Sequence, residues 1–531
     1  MSEAIRAGRI SAKGSFNLFL GVAVSSVILA VGTVIIGSSA FLGTHNYNIY
    51  AKAFMPLSIF ILFRDFGING AMIKYVAQYR SENRTAELRN ILASGMLFEL
   101  ISGVLFSIIC YSLADFLAVS YRQPEIKSLI EIASITILMG SLVTVAQSAV
   151  TGFERMEFSS LILICQSAIK SLLAILLVFL GYSTFGAVLG HTIAFVATGI
   201  LAALIFLLFF YRGPKRANNG GLELSRSLIL MLKYGLPLYV AALLSGFLAA
   251  FLGFIAPIYC TGDSLIGNYQ MAINFNVIIT FFTAPIATVL FPAFSKFSSE
   301  KAMETLKIMF KSSIKYTALI TVPVTTAIMA LSEPFVFTLL PEFSSTPLFL
   351  TVSAINFLYT GLGSLSLGNF LSGQGKTKII MLLNLISVGV GVPLGLFLTS
   401  NFRIVGLIVT TLVAGVPSLI IGLEWIKKHF DVSVDWASSA KIFLASGVAG
   451  VIAYLVVFWL HYSNLIELVV GGVVFLGIYM IAILLIGAID RDDVSNLREM
   501  LSELGPVFYL IKPFLRLIEK LLAVFSSSSA E

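Results

Sequence analysis

Apolar runs of about 20 residues, separated by short polar segments, recur along the whole chain. A helix rising 1.5 Å per residue needs about 20 such residues to cross a hydrocarbon core of about 30 Å. By that measure, spans are expected near 16–36, 48–72, 91–113, 127–150, 158–180, 185–210, 235–257, 265–291, 312–331, 348–371, 378–399, 404–425, 442–461 and 465–489. The ninth and tenth are the least regular, because Pro323, Pro334, Pro341 and Pro347 interrupt them. The expectation is an all-α polytopic membrane protein with about fourteen transmembrane helices.

Composition agrees. Of the 531 residues 58% are hydrophobic and 11% charged, against about 25% charged in a soluble domain. The net charge of +7 does not point to nucleic acid. Its lysines and arginines sit in short clusters between apolar runs, as in membrane loops. Cys110, Cys165 and Cys260 are far apart and show no CxxC pair, so neither a disulfide framework nor a metal site is expected. The apolar run after Arg6, Arg9 and Lys13 is too long for a signal-peptide core and is read as the first span, retained in the protein.

Loop charge sets the orientation. With the N-terminus inside, the inner segments are 1–15, 73–90, 151–157, 211–234, 292–311, 372–377, 426–441 and 490–531. They hold most of the 34 lysines and arginines, and the outer loops hold Arg122, Lys127 and Arg403. Both termini are expected in the cytoplasm and the chain in the cytoplasmic membrane.

The chain also repeats. Tyr50-Ala51-Lys52-Ala53 opens the second span and Tyr269-Gln270-Met271-Ala272 the eighth, 219 residues later. Ser81-Glu82 and Ser299-Glu300 follow at an offset of 218. A unit of six spans returns to its starting side, which makes the halves parallel repeats. The expected layout is an N-terminal bundle (1–212), a C-terminal bundle (213–430), two extra helices (431–490) and an amphipathic cytoplasmic tail (491–531). The two bundles are expected to flank a central cavity, as in alternating-access transporters.

Several stretches carry a family resemblance: NYNIYAKAFMPLSIFILFRDFGINGAMIKYVAQYR at 46–80, LKYGLPLYVAALLSG at 232–246, IGNYQMAINFN at 266–276, FPAFSK at 291–296 and SGQGKTK at 372–378. In order and spacing the chain resembles the polysaccharide transporter branch of the multidrug/oligosaccharidyl-lipid/polysaccharide exporter superfamily, the Wzx-type oligosaccharide flippases. The resemblance implies a transporter, not an enzyme. It implies that a lipid-linked oligosaccharide of the polyprenyl phosphate or pyrophosphate type crosses the membrane during glycan assembly. The expected partners are that substrate and membrane lipids, with no cofactor, and the expected state is a monomer.

Charges in mid-span need a reason, since each costs at least about 2.5–3.5 kcal/mol unless paired or hydrated. Arg64 lies 14 residues past Tyr50, about 21 Å into the core. Lys170 lies 12 residues past Phe158, about 18 Å in. Ser159, Gln166 and Lys170 share a helix face. Arg64, Lys170 and Gln166 are candidate substrate-cavity residues, the two cations for a carrier phosphate. Structural pairs of Lys170 with Glu99 or Asp65 are the competing reading. Asp65, one turn from Asn69, joins the candidates, as do Lys52, which is close enough to the outer boundary to snorkel, and Asn274. Glu99, with Gly95, Ser102 and Gly103 on its face, and Asp65 are candidate protonation sites. Under the 219 offset Arg64, Asp65 and Lys170 correspond to Thr283, Ala284 and Gly389, so the mid-span charge falls in the first half. Tyr269, Asn274, Asn276, Asn356, Asn369 and Asn384 offer neutral hydrogen bonds in the second, either to sugar hydroxyls or between helices.

Two other functions fit less well. A cation-coupled drug exporter of the same fold needs buried acids in its lobes, and the first, seventh and eighth spans lack one in mid-span. A membrane glycosyltransferase or polymerase needs an acidic cluster on a large loop, and no loop before the tail exceeds about 25 residues. Gly375-Lys376-Thr377 imitates the end of a P-loop, but Phe370 stands where the first glycine belongs.

Overall fold

A computed structural model describes residues 2–212, 223–261, 264–283, 303–489 and the single positions 290, 294 and 493. The described residues are helical with no strand, which puts every span's backbone hydrogen bonds within its own segment, as hydrocarbon demands. Large apolar side chains such as Leu172, Phe179, Trp459 and Val473 remain exposed because their solvent is lipid.

The helices in chain order are α1 Ser2–Gly37, α2 Gly43–Phe54, α3 Leu57–Arg64, α4 Ile68–Ser81, α5 Thr85–Ser112, α6 Ala114–Ser120, α7 Lys127–Gly152, α8 Met156–Leu177, α9 Ser183–Arg212, α10 Leu224–Tyr259 and α11 Leu265–Phe275. After them come α12 Met303–Ala330, α13 Ser332–Leu339, α14 Thr346–Leu358, α15 Ser364–Gly373, α16 Thr377–Phe430, α17 Trp436–Leu460 and α18 Asn464–Leu485. The expected amphipathic tail falls outside the described residues.

Ten of the helical stretches are long and apolar enough to cross a membrane, and α14 with α15, bent by 53° at Gly363, makes an eleventh. Two of the ten, Met156–Phe209 and Thr377–Phe430, run for 54 residues. At 1.5 Å per residue that is about 80 Å, far beyond one crossing. Each turns back: the first where Gly181 and Ser183 have positive φ, the second where Arg403 does. Past the second reversal Ser418 Oγ donates 2.6 Å to Leu383 O, which holds the two arms side by side. The described helices are consistent with about fourteen crossings.

The second span departs from the continuous helix expected at 48–72. It is three short helices. Pro56 supplies no backbone N–H where α2 would continue into α3. Phe66 (φ 50°) and Gly67 (φ 79°) then take left-handed conformations between α3 and α4. Gly67 is required twice over, since a β-carbon there would stand 2.1 Å from Gly235 O on α10. The break directly follows Arg64 and Asp65.

The described chain forms two compact units. The first comprises Met1–Gln270 with Val388–Leu407, the second Met271–Ser387 with Ile408–Glu531. In the first, contacts between small residues draw helices together, as expected where lipid gives no hydrophobic push. A β-carbon at Gly32 would lie 2.3 Å from Ser171 Oγ, and one at Gly103 2.3 Å from Ser141 Oγ. One apolar cluster (Tyr75, Val76, Leu92, Val145, Ile205) gathers around α4, and another (Ile49, Leu57, Leu117, Ile130) around α2 and α3. Asn48 Oδ1 accepts the Gly267 N–H at 3.0 Å. These residues are 219 apart, the same offset that separates the two matching sequence stretches. In the second unit α17 and α18 pack on α12, where Tyr479 Oη donates 3.0 Å to Leu319 O.

Candidate functional site

Arg64 ends α3, and the break after it lets the side chain turn into the helix bundle. It is only 3% exposed. Nη1 donates to Ile137 O at 2.8 Å and Nη2 to Thr144 Oγ1 at 2.9 Å. Nε stands 3.4 Å from Glu99 Oε2, an ion pair without well-directed hydrogen-bond geometry. Gly140 leaves the space the guanidinium occupies, since a β-carbon there would be 3.3 Å from Nη1. Glu99 Oε1 accepts from Asn69 Nδ2 at 2.8 Å. Asp65 Oδ1 accepts from the Asn69 backbone N–H at 3.1 Å and from its Nδ2 at 2.9 Å. Ser148 Oγ donates 3.2 Å to Asn69 Oδ1, tying in α7.

The network corrects one expectation. Arg64 does not stand on an open face; its guanidinium is spent on three partners inside the bundle. The pairs of Lys170 with Glu99 or Asp65, the competing reading, do not form among the described residues, where Arg64 pairs with Glu99 and Asn69 bonds Asp65. The expected local cluster of Asp65 with Asn69 is present. The face of α5 bearing Gly95, Glu99, Ser102 and Gly103 is buried.

Lys52 also differs from expectation. It does not snorkel outward: it is 2% exposed, and Nζ donates 3.1 Å to Gln123 Oε1 in the turn before α7. That turn covers the end of α2, so nearness to the membrane boundary does not bring nearness to water.

Lys170 has a different setting. It is half-buried on α8 and makes no ion pair or hydrogen bond among the described residues. Gln166, one turn away and also half-buried, donates 3.3 Å to Thr198 Oγ1 on α9. On α9, His191, Phe195 and Thr198 follow at spacings of four and three and share one face. Tyr50 Oη lies 2.9 Å from His191 Nδ1. Phe54 stacks on the His191 ring at 4.1 Å, and Phe195 stacks with it at 5.3 Å. The result is one polar and aromatic wall in the first unit, with an ammonium, an amide and a row of rings drawn from α2, α8 and α9. Such a wall can hold an anion at the ammonium and offer flat faces beside it.

Sequence reasoning singled out Lys170 and Gln166 but not His191, whose spacing to Phe195 and Thr198 is the one signal that could have found it. Asn274 belongs to the second unit, half-buried on α11. Nearby Asn276 Nδ2 donates 2.8 Å to Ser353 Oγ, an amide joining two helices. No group of three or more metal-ligating side chains occurs among the described residues.

Comparison with known proteins gives the setting. The profile of a family described as "Polysaccharide biosynthesis protein" matches residues 11–298, more than half of the chain. An uncharacterised membrane protein of Methanocaldococcus jannaschii is 22% identical over 459 residues, covering 83% of this chain and 89% of its own. The fold is similar to a structure titled "Lipid II flippase MurJ, inward closed conformation", with a TM-score of 0.67 and 16% identity, covering 88% of this chain and 98% of that one. An inward-facing multidrug resistance MATE family transporter of the MOP superfamily matches with a TM-score of 0.59 and 17% identity, over 76% of this chain and 94% of its own.

Proposed function

The chain belongs to the family described as "Polysaccharide biosynthesis protein", and on that premise we propose that it is a membrane transporter, a flippase for a lipid-linked oligosaccharide. The cargo class is a glycan on a polyprenyl phosphate or pyrophosphate, carried across the cytoplasmic membrane by alternating access of an N-terminal (1–212) and a C-terminal (213–430) lobe. The observation that carries this reading is Lys170. A mid-span cation without a protein counter-ion is costly and gains a partner when a phosphate arrives. Gln166 beside it can donate to a phosphate or sugar oxygen, and the rings of Tyr50, Phe54 and Phe195 offer stacking faces. Arg64 contributes by holding the bundle that presents this wall.

A drug exporter for organic cations is the runner-up. It would need a free acid in mid-span, and Glu99 and Asp65, the mid-span acids of the first unit, are both engaged. Depleting the protein in its own cells separates the two readings. Lipid-linked glycan should accumulate on the inner leaflet, with no change in sensitivity to cationic drugs. Unchanged glycan levels with increased drug sensitivity would favour the exporter.

The orientation is part of the proposal. A cysteine placed at His45 should react with a membrane-impermeant maleimide in intact cells, and one at Arg84 only after lysis. Labelling of the Arg84 position from outside would reverse the topology.

A further inference from the structure

A groove of about 400 Å³ lies at the end of the first unit where α4 gives way to α5 and α7 to α8. Its size falls within the roughly 300–1,000 Å³ of small-ligand sites. The floor is aromatic: Phe153 and Phe209 stack at 5.1 Å, and Phe158 meets Phe209 edge-on at 5.3 Å. Two arginines stand over this floor. The Arg80 guanidinium lies 5.8 Å from the centre of the Phe153 ring and that of Arg155 5.3 Å from the Phe158 ring. Arg80 Nη1 donates to Phe153 O, which fixes the guanidinium and leaves its other N–H groups available. Arg80 has no carboxylate within ion-pair distance among the described residues. Arg155 pairs with the exposed Glu157. Arg84 lies over the Tyr79 ring at 4.5 Å and is bound to Glu82 and Glu87.

The level of the groove in the membrane follows from its neighbours. On the last turns of α9, Leu204, Leu207 and Leu208 are exposed, as side chains facing acyl chains must be, and Leu208 lines the groove. The opposite rim is polar, formed by Asn83 and Arg155 at turns where Asn83 and Glu154 have positive φ. Apolar wall, aromatic floor and cationic rim therefore follow one another over the depth of one interface. Aromatic rings and basic side chains are the groups that settle at the headgroup level, and basic pockets there recognise anionic lipid headgroups.

We propose that this groove binds the phosphate of an anionic phospholipid, with Arg80 and Arg155 on the phosphate oxygens, the three phenylalanine rings under the glycerol backbone, and Leu208 against an acyl chain. The site is separate from the Lys170 wall and does not rest on the flippase reading.

The test uses the full-length protein, in detergent, titrated with dioleoylphosphatidylglycerol and followed by native mass spectrometry. Phosphatidylglycerol should bind at least tenfold more tightly than phosphatidylcholine. Each arginine near an anionic headgroup is worth about fivefold, so the Arg80→Gln/Arg155→Gln variant should bind phosphatidylglycerol about 25-fold more weakly. Leu208→Asn should weaken the lipid and leave binding of soluble glycerol phosphate unchanged. Millimolar inorganic phosphate should not displace the lipid. If the double variant folds poorly, Arg155→Gln alone, at an exposed position, should still weaken binding about fivefold. Equal binding of both lipids, or arginine variants that bind as tightly as the parent, would overturn the proposal. Displacement by phosphate alone would overturn the lipid assignment in favour of a free-anion site.

Discussion

Arg64→Ala should destabilise the protein by about 3–5 kcal/mol, the usual cost of removing one partner of a buried ion pair. The loss has three parts. Glu99 would be left with a buried carboxylate and only Asn69 as a partner. Ile137 O would lose the guanidinium donor it has beyond its helix, and Thr144 Oγ1 would lose one as well. A cavity would open beside Gly140. The substitution is therefore expected to lower the melting temperature in detergent sharply and to reduce expression. Arg64→Met/Glu99→Gln removes both charges, keeps an oxygen for Asn69 and fills the space with an apolar side chain. Such replacements of buried pairs are often near neutral, so the double variant should recover most of the stability. If Arg64→Ala melted like the parent and yet transported nothing, Arg64 would belong to the substrate and not to the bundle.

Lys170→Ala should give the opposite pattern. Lys170 has no ion-pair partner to orphan, so its removal should leave the melting temperature unchanged or slightly raised. Transport should fall about ten- to a hundredfold, the equivalent of one charge-assisted hydrogen bond of about 1.5–3 kcal/mol. Lys170→Arg keeps the charge on a longer, planar group and should retain part of the rate. Lys170→Gln, which keeps the donor and loses the charge, should behave like alanine. These rates are to be read beside thermal unfolding of the same samples. A fall in melting temperature that tracks the fall in rate would assign Lys170 to structure.

The spans were legible because hydrocarbon enforces a length and a polarity that any helix must meet. The Asp65–Asn69 contact was legible because only four residues separate the two, although the helix breaks between them, and the α5 face with Gly95 and Gly103 because small residues mark helix contacts in lipid. The break after Asp65 was not, since Phe66 looks like one more apolar residue and Gly67 is one of 42 glycines; only the crossing with Gly235 makes its conformation necessary. The Arg64–Glu99 pair was missed for a related reason. Depth along a helix says that a charge needs a partner, but not which neighbouring helix supplies it. Lys52 was misplaced because its cover comes from Gln123, 71 residues away. His191 escaped notice because no ligand pattern surrounds it in sequence, and its neighbours Tyr50 and Phe54 come from another span.

On the proposed function, the protein moves a glycan-bearing polyprenyl phosphate or pyrophosphate using the Lys170 wall. The most direct test of this is reconstitution into liposomes holding a fluorescent polyprenyl-pyrophosphate oligosaccharide, with a membrane-impermeant quencher added outside. The parent protein and the Arg64→Met/Glu99→Gln variant should bring the inner-leaflet glycan within reach of the quencher, while over the time the parent needs Lys170→Ala should leave close to half of the signal protected, as in protein-free vesicles. About half of the signal still protected with the parent protein, as in protein-free vesicles, or equal loss of protection with Lys170→Ala, would contradict it.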